Sequence, residues 1–344
     1  MGVLELFNEI NSGTKISNEK SKWYDYLIGE ETPIMKRFMM LLIIPIMVLS
    51  GCGNNTDPPM DQEEQGNEIE AEAQLIEEFR DLMEEAEFPK EVVAYVDHNI
   101  KKMETETANQ MLFELTDYLS NFFIDNFSVW SNIEKLNAYY KYPQGINLEE
   151  ITEADLKEFY NDLIDSGYKL EAIEGMINPI VDYRWVAKYN NYISKDLIDY
   201  YELCAIESDE LSAKDAGLTI TWNELGNRVL AAESYLSKYP HSLASEEAAF
   251  RYEQYLWMYL LGLNNTPIVD WETNKVIDEV LNSYHQFIED HRDTATADAL
   301  ANYLEILSDL NYVIPYDNEE EFLNFDKSLE ELVNNTVSIY TQQR

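Results

Sequence analysis

Only two cysteines, Cys52 and Cys204, occur in 344 residues, which excludes a disulfide framework and the paired-cysteine motifs of zinc and redox sites. Positive charge is almost as scarce: 24 Lys and Arg stand against 66 Asp and Glu, a formal net charge of −42. No basic stripe is available to neutralise phosphates, so nucleic acid is excluded as a partner. The same charge repels anionic lipid head groups and holds the folded body off a membrane surface. Glycine is sparse, with 12 residues, and no Gly-rich phosphate loop, G-x-S-x-G elbow, H-E-x-x-H pair or EF-hand loop is present. With no catalytic motif, the expectation is a binding protein and not an enzyme. Carboxylate pairs for acid–base work cannot be singled out, because so acidic a chain makes such pairs by chance. Long apolar runs are missing too, with one exception near the N-terminus.

That exception is Phe38–Leu49, twelve apolar residues preceded by Lys36-Arg37 and followed by the small residues Ser50 and Gly51 and then Cys52. It is shorter than the ~20 residues that a membrane-crossing helix needs, and basic flank, apolar core and small residues follow in the order of an export signal. Leu49-Ser50-Gly51-Cys52 resembles the lipobox of bacterial lipoproteins. The resemblance implies a diacylglyceryl thioether on Cys52 and cleavage between Gly51 and Cys52, with Leu49, Ser50 and Gly51 recognised by the signal peptidase. Two acyl chains suffice for stable anchoring where one does not. The implied location is the extracytoplasmic face of the cell membrane, with membrane lipid as a partner through the anchor and no cofactor beyond the lipid.

The expected organisation follows. Residues 1–34 are either a non-native leader, with translation starting at Met35, or a cytoplasmic extension of the precursor, and 35–51 are the lipoprotein signal peptide. Residues 52–67 are the lipidated Cys52 and a flexible tether containing Pro58-Pro59. Residues 68–344 form an all-helical extracytoplasmic domain with a division near 143–150.

Apolar residues in that domain recur with helical period. Met111, Leu112, Leu115, Leu119, Phe122 and Phe123 line one face; Val276, Ile277, Val280, Leu281, Tyr284, Phe287 and Ile288 line another. Leu300, Tyr303, Leu304, Leu307 and Leu310, then Phe322, Phe325, Leu329, Leu332 and Val333, continue the pattern. Thr152 with Asp155 and Thr221 with Glu224 have capping-box spacing. Leu218–Trp222 is the one stretch that looks extended, with Thr221 capping the next helix. Glu233–Met258 aligns without gaps on His285–Leu310, 52 residues on, pairing Tyr235 with Phe287 and Ser242 with Thr294. Lys238-Tyr239-Pro240-His241-Ser242 followed by alanines resembles the inter-helix turn of tetratricopeptide-like modules. That resemblance implies stacked helical hairpins, an irregular α-solenoid or bundle.

Chemistry-bearing residues concentrate in 174–233. Asp182, Arg184 and Trp185 interrupt an apolar stretch, and Glu207, Asp209, Trp222 and Arg228 follow. Arginines inside amphipathic segments of an acidic chain pair with carboxylates, so one reading is a structural ion-pair network joining two hairpins, which is preferred. The other is a binding groove in which Arg184 or Arg228 takes an anionic group beside Trp185 and Trp222. Cys204 reads as a small buried hydrophobe, and His285 and His291, six apart, fit a solvated helix end better than a metal site. The functional expectation is a helical protein- or peptide-binding or scaffolding lipoprotein. The alternatives are a solute- or cation-binding lipoprotein and, last, an envelope hydrolase.

Overall fold

Strong helix formers and widely spaced punctuation dominate the chain, and the computed structural model, which describes residues 62–342 apart from 174, resolves this pattern into eleven helices and four two-stranded hairpins. The all-α expectation holds, with 67% of the described residues helical against the roughly one-third usual in globular domains. The expected leader, the signal segment, Cys52 and tether residues 53–61 lie outside the described residues. Among the described residues no helix is long and apolar enough to cross a membrane. The chain divides after Glu78 into two units. Within the first, α1 (Gln62–Glu85) begins inside the stretch expected as tether, where Gln62-Glu63-Glu64-Gln65 combines good helix formers with acids at a helix N-terminus.

In the second unit, α2 (Pro89–Asn99), α3 (Thr105–Asp125), α4 (Trp130–Asn137) and α5 (Ala154–Asp165) pack with a hairpin of β3 (Tyr168–Ile173) and β4 (Met176–Val181). The expected apolar stripe of α3 is buried, and its Phe123 ring meets Tyr168 edge-on at 5.0 Å. Tyr168 also donates to the Leu119 carbonyl at 2.7 Å, fixing the hairpin to the helix. The expected boundary near 143–150 falls on a connector, where β1 (Tyr140–Lys141) and β2 (Gly145–Ile146) lead through a 3₁₀ turn into α5. Thr152 does not cap α5. The N-cap is Glu153, and the Thr152 hydroxyl bonds the Glu153 carboxylate at 2.9 Å.

The C-terminal half follows a regular step. Helices α6 (Lys195–Asp209), α8 (Ser245–Leu261) and α10 (Ala295–Asp309) begin fifty residues apart. Each is followed by a long connector and a partner helix: α7 (Trp222–Lys238), α9 (Asp278–Asp290) and α11 (Glu319–Thr341). Short turns at 239–244 and 291–294 join α7 to α8 and α9 to α10. The aligned residues Ser242 and Thr294 both organise these turns. Ser242 receives the Tyr235 hydroxyl at 2.8 Å and donates to Asp196 at 2.6 Å, while Thr294 accepts Ala297 N at 3.1 Å as N-cap of α10. Thr221 caps α7 as its spacing predicts, accepting Glu224 N at 3.2 Å. Helix α7 approaches its neighbours at Gly226, where a Cβ would lie 3.0 Å from the Tyr259 hydroxyl and 3.2 Å from Phe287. Val276 and Ile277 precede α9; Val276 bridges Val269 instead of continuing the helix.

The long connectors join end to end. Lys214 of β5 (Ala213–Lys214) pairs with Glu171 of β3, and Tyr140 lies close enough for both charges to act on its hydroxyl. Beyond β6 (Gly217–Leu218), Leu218 N donates to Thr266 Oγ1 at 3.1 Å and Asn265 N to the Ala216 carbonyl at 2.8 Å. Those residues belong to the hairpin of β7 (Gly262–Leu263) and β8 (Thr266–Pro267), whose following arm bridges to Val313 through Lys275. The hairpins thus form one continuous row.

The β5–β6 loop, Asp215-Ala216, has φ of +52° and +55°. This is the left-handed pair that the twist of a two-residue hairpin demands and that a Cβ opposes. Ala216→Gly is expected to raise stability by about 1 kcal/mol and the melting temperature by roughly 2–4 °C, read by calorimetry.

Candidate functional site

The segment after β4 is shaped by one carboxylate. Asp182 Oδ1 accepts Arg184 N at 3.0 Å, and the Asp182 carbonyl accepts Trp185 N at 3.0 Å, turning the chain into a 3₁₀ helix over Trp185–Tyr189. Trp185 packs on Gly167, whose φ of +88° and lack of a side chain make room for the indole; a Cβ would stand 2.6 Å from the ring. Lys188 Nζ sits 3.8 Å from the Trp185 ring centroid, a cation–π contact, and Tyr189 meets the indole edge-on. Arg184 turns outward, about half exposed, donating to Asp209 at 2.9 Å and pairing with Glu202, both on α6.

Arg228 occupies the opposite environment. It is 2% exposed, and its Nη1 donates to Glu207 Oε2 at 2.6 Å. Its Nε lies 3.7 Å from Glu224, beyond hydrogen-bond reach. Glu207 is the hub: the same oxygen receives the Tyr255 hydroxyl at 2.8 Å, and the other receives Ser212 N and Oγ at 2.8 and 3.0 Å. One carboxylate thereby joins α6 to α7 and α8. Trp222, the first residue of α7, is buried. The five sequence-predicted residues therefore divide. Asp182, Arg184 and Trp185 form a partly exposed set against the Glu202–Asp209 side of α6, while Arg228 joins the Glu207 hub in the interior.

Sequence reasoning missed Arg251, in the apolar pattern of α8. Its Nη2 lies 3.7 Å from Cys204 Sγ, and its Nε is buried without an acceptor. An electropositive neighbour therefore exists where the sequence context of Cys204 shows none. Burial nevertheless outweighs it and pushes the thiol up, so the buried Cys204 is held as the neutral form. The isolated Arg in Glu246-Glu247-Ala248-Ala249-Phe250-Arg251 carried the same signal that singled out Arg228. His291 packs on Phe287 at 4.9 Å while His285 is exposed. Among the described residues no group of three or more His, Cys, Asp or Glu is placed to hold a metal ion.

A second acid centre lies at the start of α6. Asp199 receives Tyr239 Oη at 2.7 Å and Lys238 Nζ at 3.0 Å, and pairs with Lys195. Burial alone would raise its pKa, but hydrogen bonds from Lys195, Tyr239 and Lys238 pull it down to about 2. Comparison with protein-family models, with curated proteins and with solved structures finds no match to this chain.

Two outcomes test these centres. Glu207→Gln removes the one carboxylate hydrogen-bonded to the buried Arg228, leaving only Glu224 at 3.7 Å, and is expected to cost about 3 kcal/mol in urea unfolding, most of it recovered when Arg228→Met is added. Because the Asp199 pKa is depressed on folding, its contribution is complete above the ordinary carboxylate range near 4 and disappears as pH falls towards 2. Melting temperatures of wild type and Asp199→Asn should therefore differ at pH 6 and converge near pH 2.

Proposed function

We propose that the protein is a lipid-anchored extracytoplasmic module whose helical body binds or scaffolds a protein or peptide. The anchoring half of this reading is supported by Lys36-Arg37, the apolar run Phe38–Leu49 and the Leu49-Ser50-Gly51-Cys52 sequence. The observation that carries the binding half is the fifty-residue step of α6, α8 and α10, each with its partner helix. Helix pairs stacked on a fixed step spread side chains over a long surface instead of converging them on a small pocket, and such surfaces suit extended protein partners. The strongest charges of α6 face their own chain: Glu207 holds Arg228, and Glu202 with Asp209 holds Arg184. They serve to lock the stack, and this leaves recognition to the surface around it.

The two halves are tested together in the native host. Wild-type protein should partition with detergent and carry a diacylglyceryl mass on Cys52, while Cys52→Ser should be released from the membrane fraction. Crosslinking intact cells with a membrane-impermeant reagent should attach a defined protein to the wild-type chain. An unmodified sulfur at position 52, or recovery of lipid and wall polymer alone, overturns the anchoring or the binding half respectively.

A further inference from the structure

We infer that the cleft between the arm at 268–277 and the start of α11 docks a lysine- or arginine-bearing segment of a partner protein; the inference rests on the protein-binding reading above and names its face and chemistry. The arm tip is preset. Asp270 Oδ1 accepts Glu272 N at 3.1 Å, Thr273 N at 3.0 Å and Thr273 Oγ1 at 2.8 Å, and Val269 bridges Val276 below. Trp271, between two acids at that tip, is 65% exposed. The next residue, Glu272, is one wall of a cleft of about 450 Å³ that Asp309, Leu310, Val313, Pro315 and Glu321 also line.

This lining is of two kinds. Leu310, Val313 and Pro315 are apolar, while Glu272, Asp309 and Glu321 form no ion pair among the described residues; Lys275, on the same arm, pairs with none of them. A long basic side chain has the same two parts, an aliphatic stem and a charged head. Charge complementarity selects the occupant. A second copy at −42, nucleic acid and anionic lipid are all repelled. A free small cation would meet the carboxylates but leave the apolar wall and the rest of the row bare. That row carries the other two most exposed large apolar side chains, Tyr142 at 76% and Met176 at 55%, each at or beside a hairpin turn. A macromolecular partner can cover cleft and row together.

The probe is decalysine, titrated into the full-length protein in detergent micelles at low and high salt, with acrylamide quenching of tryptophan fluorescence and calorimetry as readouts. Decalysine should shield an exposed tryptophan from acrylamide, and Trp271→Ala should remove that shielded component while keeping the wild-type circular dichroism. Glu272→Gln with Glu321→Gln should weaken binding about tenfold. Glu289→Gln with Glu330→Gln, which removes the same charge elsewhere, should change it less than about twofold. Equal losses from both pairs would mean that decalysine follows net charge alone, and would overturn the inference. So would the same shielding by free calcium, or a dimer in sedimentation without peptide. A protein crosslinked on cells, combined with no decalysine effect at Trp271, removes this cleft and leaves the protein-binding reading standing. Site-specific decalysine binding with no partner on cells does the reverse.

Discussion

Carboxylates so outnumber cations in this chain that many of its tertiary acid contacts draw on neutral donors as well. Tyrosine supplies many of them across long sequence separations: Tyr189 to Asp97 at 2.8 Å, Tyr239 to Asp199 at 2.7 Å, Tyr255 to Glu207 at 2.8 Å and Tyr340 to Glu233 at 2.7 Å. A hydroxyl donating to an ionised oxygen makes a charge-assisted bond without bringing a second charge that must itself be desolvated. Glu233 shows how far this goes. It is 3% exposed and accepts Ala295 N, Thr296 N and Thr296 Oγ1 besides Tyr340. Its charge is thus held at the N-terminus of α10, where backbone N–H groups and the helix dipole favour an anion. These tyrosine hydroxyls supplement the few lysines and arginines as partners for carboxylates.

Two arginines at α6 show contrasting uses of the few cations. Arg228 is enclosed, and its pairing with Glu207 is shielded from salt. Arg184 sits on the outer side of the same helix, where solvent screens its pairs with Glu202 and Asp209 and leaves them worth little each. Helix α6 therefore works as a shared acidic spine, with an interior contact that fixes the position of α7 and a peripheral one that orients the 3₁₀ segment. Hydroxyl-to-carboxylate bonds at Asp196 and Asp199 close the same helix onto the turn after α7.

Much of this was legible in the sequence, because burial writes itself as periodicity. The stripe of α3, the cap at Thr221 and the equivalence of Ser242 with Thr294 all follow from spacing. The aligned segments lie 52 residues apart and the helix starts fifty, so the repeat was visible while its exact phase was not. The β3–β4 hairpin escaped because Pro179 and Asn178 break the alternation that marks a strand, and because its burial depends on the rings of α3, which are distant in sequence. The division of the candidate residues between two sides of α6 was equally hidden: residues five and seven positions along a helix are separated by a rotation that matters only once a neighbour is docked. The tyrosine hydroxyls gave no local signal, since a ring in an apolar stripe looks the same whether or not its oxygen finds an acid.

The stacking also sorts the connectors. When helices alternate in direction, the links after α6, α8 and α10 fall at one end and those after α7 and α9 at the other. The second set is short and fixed by side-chain bonds: Ser242 ties its turn to α6, and Thr294 caps α10. The first set is longer and holds two hairpins, the arm and the turn before α11, joined through backbone carbonyls and one threonine hydroxyl. Their exposed tips carry little of the packing and can vary without disturbing the helices. A fold arranged in this way separates its tasks, with the acid–hydroxyl network and short turns holding the stack, and the connectors at the opposite end leaving side chains such as Trp271 exposed.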